Sequence, residues 1–282
     1  MVRRIMIKHL LYVLFIIVVT QATFSQNKET KPLSVYKVNY KWEAPAAATF
    51  FIFQSYGFSW VNGKSTLTET EINNLDANDI WKFDRWATQQ DASKTSQAHE
   101  TSNYIMYGAV ALPLFLAFDP KIRKDWLSLS VLYVETHAAN SALYFLSAGT
   151  IDRIRPFVYS QDMPLNDKMS SGTKASFFSG HTSTTAVSTF FMAKVFSDYH
   201  PELGNKKYWL YGAALIPPLV VGYLRIKAMR HFPTDIITGL AVGAAVGILV
   251  PHLHKRKKKN SNYSFFLFVG DVTGLKIRYA IK

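Results

Sequence analysis

Arg225-Ile-Lys-Ala-Met-Arg230-His231-Phe-Pro233-Thr-Asp235 separates two uncharged, apolar stretches, residues 208–224 and 236–254. Proline is well placed in the first turn of a helix, where its missing N–H is not needed. The spacing predicts one helix ending near Arg225 and another opening at Pro233. Asp235 then falls in the first turn of the second helix, within reach of His231. A carboxylate on Nδ1–H holds an imidazole with Nε2 outward, as a nucleophile or base requires. Arg225 leaves the preceding helix toward the same loop. Taken alone, these residues describe equally well a basic interhelical loop with a local contact between His231 and Asp235.

Working outward, uncharged stretches recur at residues 44–63, 101–118, 136–151 and 175–193. Most approach the length that spans a bilayer. None is uniformly apolar: residues 175–193 hold Ser176, Ser179, His181, Thr182, Ser183, Thr184 and Thr185, and Glu135 and His137 sit beside another stretch. Polar groups at such depth face a bundle interior or a site. The expected fold is all-α, a membrane-embedded bundle of five to six core helices; a soluble α-bundle is the rival. Residues 264–269 and 275–281 flank Gly270-Asp-Val-Thr-Gly274, which predicts a short C-terminal β-hairpin. The expected division is 1–25 export segment, 26–100 exported N-terminal segment with amphipathic helices, 101–254 helical core, and 255–282 basic run with the hairpin.

Composition narrows the function classes. Of the 282 residues, 49% are hydrophobic and 18% charged, which excludes a disordered chain. Cysteine is absent, so disulfides, thiolate zinc sites and cysteine nucleophiles are excluded. Aromatics reach 15%, which suits a membrane or interfacial protein, whereas the mean hydropathy of +0.02 is low for a polytopic one. The formal net charge is +13, and five positive charges form the run 255–259. A basic chain suits anionic lipid or phosphorylated substrates; no zinc-finger spacing or RNA-binding signature appears, so nucleic acid is not an expected partner. Arg3, Arg4 and Lys8 precede an uncharged stretch at 9–27, with small residues placed for cleavage after Ser25. This is the pattern of a signal peptide or, uncleaved, a signal anchor.

Two further motifs carry chemistry. Arg153-Ile-Arg155-Pro156 closes a helical stretch, because Pro156 biases Arg155 out of helical geometry. A guanidinium at such an exit can meet an oxyanion, and a solvated terminal Arg has the same sequence. Ser179-Gly180-His181 opens another helix, with Ser179 as its N-cap. Unpaired N–H groups there favour an anion, Gly180 permits close approach, and His181 stands beside it. An ordinary capped helix with a surface His reads the same way.

Arg-Pro, Ser-Gly-His and Arg-x5-His-x3-Asp, in that order and each at a helix boundary, resemble the phosphatidic acid phosphatase type 2 superfamily. That superfamily also contains bacterial acid phosphatases and vanadium-dependent haloperoxidases. The resemblance covers residues 101–253 and implies roles. His231 attacks phosphorus, Asp235 orients it, and His181 protonates the leaving oxygen. Arg155, Arg225, Ser179 and the Gly180 N–H hold the phosphoryl oxygens. The chain departs from the pattern in three places: Ala148 stands where the first motif begins with Lys, Phe178 where Pro precedes Ser-Gly-His, and Leu224 where Ser precedes the third Arg. Arg153, Lys174 and Lys227 are candidates to replace the lost cation.

The resemblance implies a metal-independent phosphatase acting on a lipid phosphomonoester or diphosphate, with no cofactor. Phosphatidate, phosphatidylglycerol phosphate, polyprenyl diphosphate, a lipid A phosphate and a soluble phosphomonoester are candidate substrates. The alternatives are a vanadate-dependent haloperoxidase and a non-catalytic phosphate-binding membrane protein. The sequence shows no ligand cluster with metal spacing and sets no oligomeric state. Basic loops at 121–124, 206–207 and 255–259 should be cytoplasmic, which puts the motifs on the exported side of a bacterial-type cell membrane. Residues 26–100 are then exported too, and 44–63 lies on or dips into that face. The alternative is a soluble periplasmic protein after signal cleavage.

Overall fold

The computed structural model describes residues 34–256, 263–268 and 274–279. The expected export segment at 1–25 and Lys257 to Lys259 lie outside them. Six long helices stand among the described residues: α1 (Glu43–Asn62), α2 (Thr95–Ala111), α3 (Trp126–Thr150), α4 (Gly180–Tyr199), α5 (Lys207–Lys227) and α6 (Pro233–His254). Strands β1 (Tyr263–Phe268) and β2 (Gly274–Tyr279) pair antiparallel, with Phe268 opposite Gly274.

The helix α4 is the axis of the bundle, buried along most of its length. A helix this rich in Ser and Thr can be central because its hydroxyls bond its own carbonyls. Thr185 donates to His181 O at 2.8 Å and Ser188 to Thr184 O at 3.1 Å. Its closest neighbour is α6. A Cβ on Gly239, Gly243 or Gly247 would sit 2.6, 2.3 or 2.8 Å from the carbonyl oxygens of Ser179, Ser183 and Val187. This four-residue glycine ridge lets two backbones touch, as small-residue stripes do in membrane helices.

Three segments are long and apolar enough to cross a membrane: Ala92–Phe118, Pro201–Lys227 and Pro233–His254. They contain α2, α5 and α6, and they leave Leu114, Phe118, Ile216 and Leu253 more than half exposed. Large apolar side chains in such numbers on an outer face suit lipid contact.

All three motifs open at one end of the bundle, at the close of α3, the start of α4 and the α5–α6 loop. The other end carries Lys121, Arg123, Lys124, Lys206, Lys207 and Lys255. There Tyr36 and Lys255 form an isolated bridge, and the Tyr36 hydroxyl donates to Asp198 at 2.8 Å.

The N-terminal segment differs from expectation. Helix α1 does not lie across the motif end; it runs parallel to α3. Tyr40 OH meets Ser128 Oγ at 2.6 Å, Gln54 Nε2 donates to Ser141 Oγ at 3.0 Å, and Lys64 Nζ donates to Ile151 O at 2.9 Å. Residues 35–42 therefore sit at the basic end, whereas residues 64–94 sit at the motif end. The basic loops and the export signal together predict one face for all of them, which requires that residues 44–63 do not cross. Within this stretch Gln54 bonds α3, whereas Tyr56 is 76% exposed.

Candidate active site

The segment after α3 pairs with the segment before α4. Arg153 N donates to Lys174 O, Ser176 N to Arg153 O, and Arg155 N to Thr173 O, at 2.9, 3.0 and 2.9 Å. The first motif is thus clamped to the approach of the second. The third joins them through Asp235. Its Oδ2 accepts from Ser176 Oγ at 2.6 Å and Phe232 N at 2.8 Å, its Oδ1 pairs with Arg153, and its backbone oxygen accepts from Ser179 N at 3.1 Å.

Asp235 does not hydrogen-bond His231. Its Oδ2 lies 3.8 Å from Nδ1, and Nδ1 donates instead to the Ser176 carbonyl at 2.7 Å. The implied role of Asp235 is corrected in this respect: a backbone carbonyl holds the ring, and the carboxylate fastens the loop that presents the carbonyl. The outcome for Nε2 is the same. With the proton on Nδ1, Nε2 keeps its lone pair, and no described residue is hydrogen-bonded to it. His231 is 2% exposed. Burial, and then the charges of Arg155 and Arg225, hold its imidazole well below the usual histidine range, against an upward pull from Ser176.

Arg155 donates through Nη2 to Ala175 O at 3.1 Å. Arg225 donates through Nη1 to His99 Nδ1 at 2.6 Å and to Ser102 Oγ at 3.4 Å. The Nε of each guanidinium is fully enclosed and has no hydrogen-bond partner. Two enclosed cationic donors without acceptors are costly unless an anion answers them.

His181 opens α4 in its first turn, with Nε2 2.7 Å from Asn103 Oδ1. Burial, and then the charges of Arg225, His231, His99 and Arg155, hold its imidazole well below the usual histidine range, so it carries a donatable proton once an anion offsets those cations. Ser179 is placed differently from the implied phosphate contact. Its Oγ caps α4 by accepting from Thr182 N at 3.4 Å, and its N–H is taken by Asp235. Gly180 is needed for space, since a Cβ there would lie 2.9 Å from Tyr144 Cε2.

Each of the three candidate replacements for the lost lysine has a partner elsewhere. Arg153 is held between Asp84 and Asp235 and lies over the Phe232 ring at 4.6 Å. Lys174 Nζ donates to Ser65 Oγ at 3.2 Å. Lys227 lies over the Tyr223 ring at 5.7 Å. Ala148 itself is fully buried against Val61, Phe145 and Ala175, so a lysine there would be overpacked. A further cation, Arg230, stands directly before His231. It lies over Phe157 at 5.1 Å, and burial and then Arg155 push it down to about 10.

Sequence reasoning missed His99, Ser102 and Asn103 on α2, which hold Arg225 and His181, and it missed Asp84. The Asp84 carboxylate accepts from Thr234 N at 3.0 Å, Thr234 Oγ1 at 2.6 Å and Arg153 Nη2 at 2.6 Å. No spacing rule links these residues to the motifs; only the packing of α2 and the 64–94 segment over the motif end does.

A buried imidazole with an open Nε2, beside two guanidinium groups whose Nε atoms lack acceptors and a second histidine at a helix N-terminus, is an arrangement that suits an oxyanion. Residues 129–259 match the family model of the PAP2 superfamily. Among solved structures, a crystal structure described as the first transmembrane PAP2 type phosphatidylglycerolphosphate phosphatase, from Bacillus subtilis, is similar at 19% identity and a TM-score of 0.41. The match covers 79% of this chain and 100% of that one. No curated protein matches the chain.

Proposed function

We propose that the protein is a metal-independent phosphatase that removes phosphate from a lipid phosphomonoester or diphosphate through a phosphohistidine at His231. The observation that carries this reading is the pair of enclosed, unanswered Nε donors on Arg155 and Arg225, beside an imidazole whose Nε2 is open. A phosphoryl group in transfer needs positive charge and fixed donors around its equatorial oxygens. Arg155, Arg225 and Arg230, with the Gly180 N–H, supply them. The Nε2 lone pair of His231 forms the N–P bond as the bond from phosphorus to the leaving oxygen breaks, and His181 gives that oxygen its proton. Water then attacks phosphorus, His181 takes its proton, and phosphate leaves with His231 restored. Asn103, bonded to His181, orients the acid.

The membrane-length segments favour a lipid substrate, with headgroup hydrolysis at the motif end and the basic end facing the cytoplasm. A phosphate-release panel over lipid phosphates, diphosphates and soluble monoesters, run on purified protein in detergent, tests the class. His231→Ala should abolish release while leaving the thermal unfolding curve intact. Turnover retained in that variant, or no release from any lipid, refutes the reading.

A further inference from the structure

About 30 Å along α6 from the catalytic loop, as a 22-residue helix measures, three ligand-bearing side chains converge at the basic end. Glu43 opens α1, Glu135 lies within α3, and His254 closes α6. His254 Nε2 is 3.8 Å from Glu43 Oε2 and 3.7 Å from Glu135 Oε2, and the three atoms all lie within 4.8 Å of one another. The two carboxylate oxygens are completely enclosed and have no hydrogen-bond partner.

The tautomer of His254 sharpens the conflict. Its Nδ1 is 2.8 Å from the Val250 carbonyl, which can only accept, so Nδ1 carries the ring proton. In the neutral ring, Nε2 then presents a lone pair to two carboxylates that also present lone pairs. The nearby cations are committed elsewhere: Lys194 and Lys255 both bond Asp198, at 2.5 and 2.7 Å. Among the described residues, His254 is the only basic group in ion-pair range of Glu43 or Glu135. An ionisable residue within a helix of such a bundle is costly unless something answers it.

We propose that Glu43, Glu135 and His254 bind one divalent first-row transition ion such as zinc or manganese, which fastens α1 to α3 and α6. Imidazole with two carboxylates suits such ions better than calcium or magnesium. Ligand atoms about 2.0–2.1 Å from a tetrahedral ion stand roughly 3.3 Å apart, so His254 needs to close on each carboxylate by about half an ångström, and the two carboxylates, within 4.8 Å of each other, move together on loading. The Nδ1–H bond to Val250 is the outer contact that metal-bound histidines keep. The site lies at the opposite end from His231 and takes no part in its chemistry.

The test uses the full chain in detergent, its affinity tag removed, stripped with chelator and titrated separately with cobalt(II), zinc and manganese. Bound metal is counted after dialysis, and cobalt is also followed by its visible absorption. The expected result is one ion per chain, with thermal unfolding moved to higher temperature on loading. Glu135→Gln and His254→Gln should each weaken binding by more than the roughly 10- to 100-fold that an outer contact is worth. Glu202→Gln, at an exposed carboxylate of the same end, should leave it unchanged. Glu135→Gln preserves shape and removes a buried charge, so it should fold; its unfolding curve without metal checks this. Absence of stoichiometric binding overturns the proposal and leaves a shared proton to settle the three groups. Binding that survives both substitutions overturns it as well.

Discussion

Replacing Asp235 by Asn separates two accounts of the catalytic loop. If the carboxylate acted by holding His231 directly, the variant would keep its fold and lose chemistry. The geometry gives a different expectation, because Asp235 Oδ2 stands 3.8 Å from Nδ1 while it accepts from Ser176 Oγ at 2.6 Å and Phe232 N at 2.8 Å. An asparagine keeps one oxygen. Its NH2 must face either the Phe232 N–H, a donor against a donor, or Arg153, a donor against a cation. Breaking a fully buried pair by removing one partner costs about 3–5 kcal/mol. The cost here is lower, because the Arg153 side chain is 27% exposed and keeps Asp84. A loss of about 2–3 kcal/mol follows, or roughly 4–10 °C in melting temperature for a chain of this size. Activity should fall with it, as the Ser176 carbonyl loses its fixed position. Thermal unfolding in detergent, run beside single-turnover phosphate release, measures both. A variant that melts with the wild type yet loses turnover would refute the fastening role and restore direct orientation.

The depressed His231 pKa sets a pH dependence: the attacking form is neutral, so the acid limb of kcat/KM should lie well below the usual histidine range. Arg155→Gln removes a neighbouring positive charge, raises that pKa and should move the limb to higher pH; ionisation of the substrate is common to both enzymes and cancels in the comparison, so an unmoved limb would count against the assignment. Asn103→Ala should cost part of the roughly 10²- to 10⁴-fold that general acid catalysis supplies, more on alkyl than on aryl phosphates; equal losses would make Asn103 merely structural. Gly243→Ala sets a helix gain of about 1 kcal/mol against a Cβ 2.3 Å from the Ser183 carbonyl oxygen, and a net loss of about 1–2 kcal/mol is expected in unfolding experiments. An unchanged or raised melting temperature there would mean that α4 and α6 do not touch as closely as described.

What the sequence made legible was local, and what it hid was long-range. Pro233 at the start of α6 and Ser179 at the start of α4 are cap signals within a few residues of His231 and His181, and both helices begin where those signals put them. The partner of His231 is hidden for a related reason. The i,i+4 spacing to Asp235 suggested a direct bond, whereas the acceptor is the carbonyl of Ser176, 55 positions away, and a backbone atom leaves no mark in sequence. The cations show the opposite case: Arg230 is adjacent to His231 in sequence, whereas Arg153 is held by Asp84, 69 positions away, as well as by Asp235. The same logic explains the misplaced N-terminal segment. Nothing in the residues of α1 fixes its partner, and only the run of contacts from Tyr40 to Lys64 reveals that it lies parallel to α3. A polar residue inside an apolar stretch thus has two physical meanings, a site or a neighbour. In this chain α4 has both, since Ser183 bonds Asn140 of α3 while His181, two residues earlier, meets Asn103 of α2 at the oxyanion site.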